Sequence, residues 1–244
     1  SSIDDLNLSG VKSYNFVGCG SDTIGKIIMK KKLGWHNLSL KMIDDYELKY
    51  TDGDTTVPLI SADKTIGSEM YYVNNVSHGS LPASSSVIDG IISILGDTGV
   101  SFDDTLQDSD IYCGIKGDVV SVHSPAELHI YDEDGNHVGP DLNGDIEYGI
   151  SGVGYDALDE VKYAFLPEGV NYRIVINAID TGGYDFNIES QDGDDIVDSY
   201  NWTLVPLKTI DSSGEIWVGP DYSPDGYKIE MDDDGDGEVD KLYS

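Results

Sequence analysis

Apolar positions change rhythm along this 244-residue chain. In the first hundred residues, short apolar runs of different period alternate. Tyr14-Asn15-Phe16-Val17-Gly18 reads as a strand entering a turn. Ile24, Ile27 and Ile28 then fall at helical spacing, which predicts a helix closed by Lys30-Lys31-Lys32 and Gly34. Tyr46-Glu47-Leu48-Lys49-Tyr50 alternates with period two and predicts a strand ending at about Thr51, and Met70-Tyr71-Tyr72-Val73 predicts another ending near Val76. Ser86 with Asp89 forms a capping-box pattern, and Val87, Ile88, Ile91, Ile92 and Leu95 place an apolar face on a helix that Gly96 terminates.

From residue 111 the pattern becomes short period-two runs separated by turn residues. Strands are expected at 119–123, 126–131, 144–148, 161–166, 172–178, 184–189, 200–206, 215–218 and 227–231, with Asp134-Gly135 as a hairpin turn. Many short strands without a long helix point to a β-sandwich of immunoglobulin-like topology, with Trp202 and Trp217 as core or inter-sheet residues.

Charge sharpens this division. The formal net charge is −32, with 35 Asp, 11 Glu, 13 Lys and a single Arg, Arg173. Residues 1–100 carry a net of −4 and residues 101–244 a net of −28, so the acidity belongs to the β-rich part. Three segments are therefore expected: an α/β part over 1–100, a polar linker over 101–110, and an acidic sandwich over 111–244. A surface this acidic excludes nucleic acid as a partner. No apolar run of about 18 residues occurs, so no transmembrane helix is expected. Cys19 and Cys113 fall on opposite sides of the linker, which predicts two unpaired thiols.

Candidate chemistry sits after the early strands. Thr51-Asp52-Gly53-Asp54-Thr55-Thr56-Val57-Pro58-Leu59 follows one, and Ser77-His78-Gly79-Ser80-Leu81-Pro82 follows the next. A carboxylate accepting from imidazole Nδ1 fixes the ring tautomer and leaves Nε2 to take a proton from a nucleophile. Asp52 competes for the role of acid, whereas His36, His123, His129 and His137 have no comparable setting.

The segment Gly53-Asp54-Thr55-Thr56-Val57-Pro58-Leu59, with Tyr14–Gly18 upstream and His78-Gly79-Ser80-Leu81-Pro82 downstream, resembles lecithin:cholesterol acyltransferase-like α/β-hydrolases over roughly residues 10–97. The resemblance implies that Asp54 is the triad acid and His78 the triad base, and that residues 1–100 are the carboxyl-terminal portion of an α/β-hydrolase fold. Thr55 stands where that family usually has glycine. No Gly-x-Ser-x-Gly occurs, so this chain alone lacks the nucleophile. The expectation is a carboxyl-terminal part of a longer enzyme, whose amino-terminal hydrolase segment brings the serine and whose substrate is a lipid or another ester.

The chain ends on Asp232-Asp233-Asp234-Gly235-Asp236-Gly237-Glu238-Val239-Asp240. Carboxylates at loop positions 1, 3, 5 and 9, glycine at 6 and a backbone carbonyl from position 7 give the oxygen spacing of a calcium loop. Asp232, Asp234, Asp236, Glu238 and Asp240 are therefore the candidate Ca2+ ligands. Position 12 is Tyr243 rather than a bidentate Glu, so the loop resembles extracellular calcium repeats more than an EF-hand. A loop of this kind suits a secreted or cell-surface protein. The competing functional expectation is a non-catalytic, calcium-stabilised binding or adhesion module.

Overall fold

The computed structural model describes residues 11–36, 39–64, 68–123, 125–222 and 226–244. Contacts divide the chain into two units, one of residues 1–28 with 47–115 and the other of residues 29–46 with 116–244.

The first unit is built on a parallel pair, β1 (Ser13–Cys19) with β4 (Ser68–Asn74), to which β5 (Leu106–Gln107) adds antiparallel. Between β1 and β4 the chain makes a long hairpin, β2 (Ser21–His36) and β3 (Ser39–Gly53), and the short helix α1 (Leu59–Ala62). A 3-10 turn at His78–Ala83 leads into α2 (Ser85–Leu95). Tyr71, Val73, Val87 and Leu106 form the core, with Tyr14, Phe16, Leu81 and Ile94 packed on it. A Cβ at Gly90 would meet the Phe16 ring at 3.0 Å and Leu106 at 3.2 Å, so glycine there lets α2 lie close to the sheet. On its other side α2 exposes Ile88, Ile91, Ile92 and Leu95. Its cap is Ser84, whose extended backbone (φ −64°, ψ 129°) suits that position, while Ser86 Oγ donates to Asp103 instead, at 2.8 Å.

In the second unit, β6 (Lys116–His123), β10 (Gly154–Leu158), β11 (Val161–Pro167), β13 (Gly182–Asp192) and β14 (Asp195–Leu207) form one sheet in the order β10-β11-β6-β13-β14. The second sheet contains β7 (Ala126–Asp132), β8 (His137–Pro140), β9 (Ile146–Tyr148), β12 (Tyr172–Ala178), β15 (Ser213–Val218), β16 (Ile229–Asp232) and β17 (Lys241–Tyr243), in the order β17-β16-β15-β12-β7-β8-β9. Strands β7 and β12 bury every second residue, and their inward faces (Leu128, Ile130, Ile174, Ile176) meet Val120, Val122, Phe186 and Ile188 of the other sheet in one core.

Strand accounts for 53% of the chain and helix for 12%, all in short helices. This overturns the expectation of an α/β-hydrolase portion joined to an immunoglobulin-like sandwich: the chain is mostly β and sandwich-like. The physical reason lies in β2. The spacing of Ile24, Ile27 and Ile28 fits a helix, yet the segment is an extended hairpin arm. Isoleucine and threonine favour strands, and Gly25, poor in a helix, is required here because a Cβ would meet Thr51 Cγ2 at 2.5 Å. With that helix gone, one parallel strand pair and one helix of three turns cannot cover an α/β sheet on both faces. The cysteines are also corrected: Cys19 and Cys113 form a disulfide within the first unit, across a sequence separation of 94.

Candidate functional site

The Gly53–Pro58 loop is folded around one carboxylate. Gly53 and Pro58 close it with an isolated bridge, and Asp54 Oδ1 accepts the backbone N–H groups of Thr56 at 3.2 Å and Val57 at 2.7 Å. Thr55 N–H donates to the buried Thr23 Oγ1 at 2.9 Å, which holds the loop against β2. Thr55 sits at φ +75°, where a β-branched residue is strained by roughly 1 kcal/mol and glycine is at ease. Asp54 itself is buried at 3% exposure, and the space for it is made by Gly18 of β1, where a Cβ would meet Asp54 Cβ at 2.5 Å.

His78 begins the 3-10 turn that follows β4. Its backbone N–H donates to the Asp54 carbonyl at 2.7 Å, and its Nδ1 lies 2.8 Å from Asp54 Oδ2. An ionised carboxylate only accepts, so the ring proton belongs on Nδ1 and the lone pair on Nε2. The ring is half-exposed while its carboxylate partner is not. The result is an imidazole oriented by a carboxylate, with Nε2 on the exposed side of the ring, an arrangement that can accept a proton. Asp52, the competing acid, turns elsewhere: its Oδ1 accepts the Gly20 N–H at 2.6 Å, beside the Cys19–Cys113 disulfide. Among the described residues, no hydroxyl or thiol hydrogen-bonds to His78 Nε2.

In the terminal loop, Asp232, Asp234 and Asp240 bring carboxylate oxygens within 4.8 Å of one another, whereas Asp236 and Glu238 lie outside that group. Asp232 organises the turn, accepting Gly235 N–H at 2.7 Å on Oδ1 and Gly237 N–H at 2.8 Å on Oδ2. These bonds hold its carboxyl below the usual carboxylate range, the Gly237 N–H contributing most. Asp240 Oδ2 accepts the Asp233 N–H at 2.8 Å, and Asp233 itself is buried and paired with Lys208. Each bound oxygen keeps a lone pair, so the three carboxylates retain capacity for a hard cation.

Sequence reasoning missed two groupings. The disulfide joins segments that only the folded first unit brings together. His129 and His137 lie against each other on the second sheet, their rings stacked with centroids 5.2 Å apart, and only the β7–β8 register reveals this. Among the described residues, no helix is long and apolar enough to cross a membrane. Comparison with protein-family models, with curated proteins and with solved structures gives no match to this chain.

Proposed function

We propose that this chain supplies the acid, Asp54, and the base, His78, of a serine ester hydrolase or acyltransferase acting on a lipid or another carboxylic ester. The observation that carries the reading is the 2.8 Å Nδ1–Oδ2 contact between a half-exposed imidazole and a buried, doubly hydrogen-bonded carboxylate. An acid–base pair of this kind serves on unrelated architectures, so the reading does not depend on an α/β-hydrolase fold. The nucleophile, absent from this sequence as a Gly-x-Ser-x-Gly, comes from a segment outside these residues. The exposed isoleucines of α2, directly after the His78 turn, give that segment an apolar face to cover. In the reaction, Nε2 takes the serine proton as the acyl-enzyme forms and returns it to the leaving alkoxide, while Asp54 stabilises the imidazolium.

The experiment is ester hydrolysis by the native, full-length protein on short acyl p-nitrophenyl esters. His78→Ala should lower kcat/KM by roughly 10³-fold or more. Equal rates in both proteins would remove His78 from the chemistry and leave the reading as a calcium-stabilised binding module.

We further propose Ca2+ at the Asp232–Asp240 loop, with Asp232, Asp234 and Asp240 as the carboxylates already gathered and Asp236 and Glu238 as the remaining candidates. A secreted or cell-surface setting accords with this ion and with the Cys19–Cys113 disulfide.

A further inference from the structure

On the outward face of the seven-stranded sheet, Tyr131 of β7 pairs with His137 of β8, which makes His129 and His137 diagonal neighbours. Their inner nitrogens, His129 Nδ1 and His137 Nε2, are 3.0 Å apart. Their outer nitrogens face carboxylates. His137 Nδ1 lies 2.9 Å from Glu147 Oε2 on β9, and His129 Nε2 lies 3.9 Å from Glu127 Oε2.

Proton placement makes this arrangement unusual. Glu147 needs a donor, so His137 carries its proton on Nδ1 and presents a bare Nε2 to His129. If His129 donates into that lone pair, its own Nε2 lone pair faces the Glu127 carboxylate. If its proton instead points toward Glu127, two lone pairs meet at 3.0 Å. A cation between the inner nitrogens removes that conflict: each imidazole gives one nitrogen to the ion, His137 keeps its N–H on Glu147 at 2.9 Å, and the His129 Nε2–H faces Glu127 at 3.9 Å without a direct hydrogen bond. That is the arrangement by which outer carboxylates orient ligating histidines.

We propose that His129 Nδ1 and His137 Nε2 bind a divalent late transition-metal ion, Cu2+ in preference to Zn2+, with Glu147 holding the outer N–H of His137 and water completing the coordination. An ion about 2.05 Å from two nitrogens 3.0 Å apart subtends roughly 94°, close to the ~90° between adjacent ligands of a tetragonal site and short of the ~109° of a tetrahedral one. Space is provided by Gly139, where a Cβ would meet His137 Nε2 at 3.0 Å and the His129 Cα at 3.2 Å.

The test uses the whole chain, stripped with chelator and kept in excess Ca2+ to occupy hard-oxygen sites, then titrated with Cu2+ and with Zn2+. One Cu2+ per chain is expected, held more tightly than Zn2+, with electron paramagnetic resonance showing coupling to two imidazole nitrogens. His129→Gln and His137→Gln should each weaken Cu2+ binding at least tenfold, and Glu147→Gln, which keeps both ligands, by roughly 10-fold. The resonance spectrum of the wild-type protein stands even if a histidine variant folds poorly. Absence of stoichiometric Cu2+ binding, a spectrum without imidazole coupling, or unchanged affinity in folded histidine variants would each overturn the site.

Discussion

Asp118, on β6, shows how a single half-buried carboxyl enters the stability of the second unit. Burial raises its carboxyl pKa, the Ser190 hydroxyl donating at 2.6 Å lowers it in part, and the nearby Glu168 charge raises it again. A carboxyl raised above its unfolded value holds its proton more readily in the folded state. Its stabilising contribution is therefore present at low pH and is lost as pH rises through the folded pKa. Asp118→Asn should accordingly raise the melting temperature at pH 7 and leave it nearly unchanged near pH 3, by about 2–4 °C for each kcal/mol relieved. Thermal melts of both proteins at the two pH values check this. A lower melting temperature for the variant at pH 7 would mean that the Ser190 hydrogen bond outweighs the desolvation. Asp54 is a different setting: two backbone N–H groups and one imidazole surround its buried carboxyl with hydrogen-bond partners.

At the scale of elements, the Asp232–Asp240 loop concentrates negative charge. Two unit charges ~4 Å apart repel by about 4 kcal/mol at an effective dielectric near 20, and this loop gathers three carboxylates beside β16. Removing Ca2+ with chelator should lower the melting temperature, with a loss of about 3 kcal/mol if the ion had been present at a hundred times its Kd. An Asp234→Ala/Asp240→Ala variant should be insensitive to chelator, and a wild-type melt indifferent to chelator would sink the site. The clustering of Asp232, Asp234 and Asp240 was legible in the sequence because they lie within nine consecutive residues. So were Asp54 and His78, since Gly53–Leu59 and the turn after β4 are local patterns. The β2–β3 hairpin was not legible, because Ile24, Ile27 and Ile28 satisfy helical spacing as well as strand propensity, and the decisive neighbour of Gly25 is Thr51 on the other arm. The pairing of His129 with His137 stayed hidden for a related reason. Eight residues apart, they meet only once the β7–β8 register is fixed.

At the scale of the whole molecule, the Cys19–Cys113 disulfide ties the end of β1 to the segment after β5, both in the first unit. A loop of this length removes chain entropy worth up to about 4–5 kcal/mol from the unfolded state. Trp35, Trp202 and Trp217 all fall in the second unit, so tryptophan fluorescence follows that unit alone, whereas far-UV circular dichroism follows the backbone of both. Protein prepared without reductant should show no titratable thiol. Cys19→Ser/Cys113→Ser should lower the circular-dichroism transition of the first unit and leave the tryptophan transition in place; two unshifted transitions would mean that the bond adds nothing. The division into units also bears on synthesis. Residues 29–46 belong with a unit whose remainder begins at Lys116, so the ribosome must deliver residues 47–115 before that remainder starts to appear. At 5–20 residues per second this is a wait of roughly 3–14 s, during which a two-stranded ribbon, marginal by itself, lacks the residues of 116–244 with which 29–46 cluster. The nascent hairpin is thus the stretch for which a chaperone, or a pause in translation, would matter most.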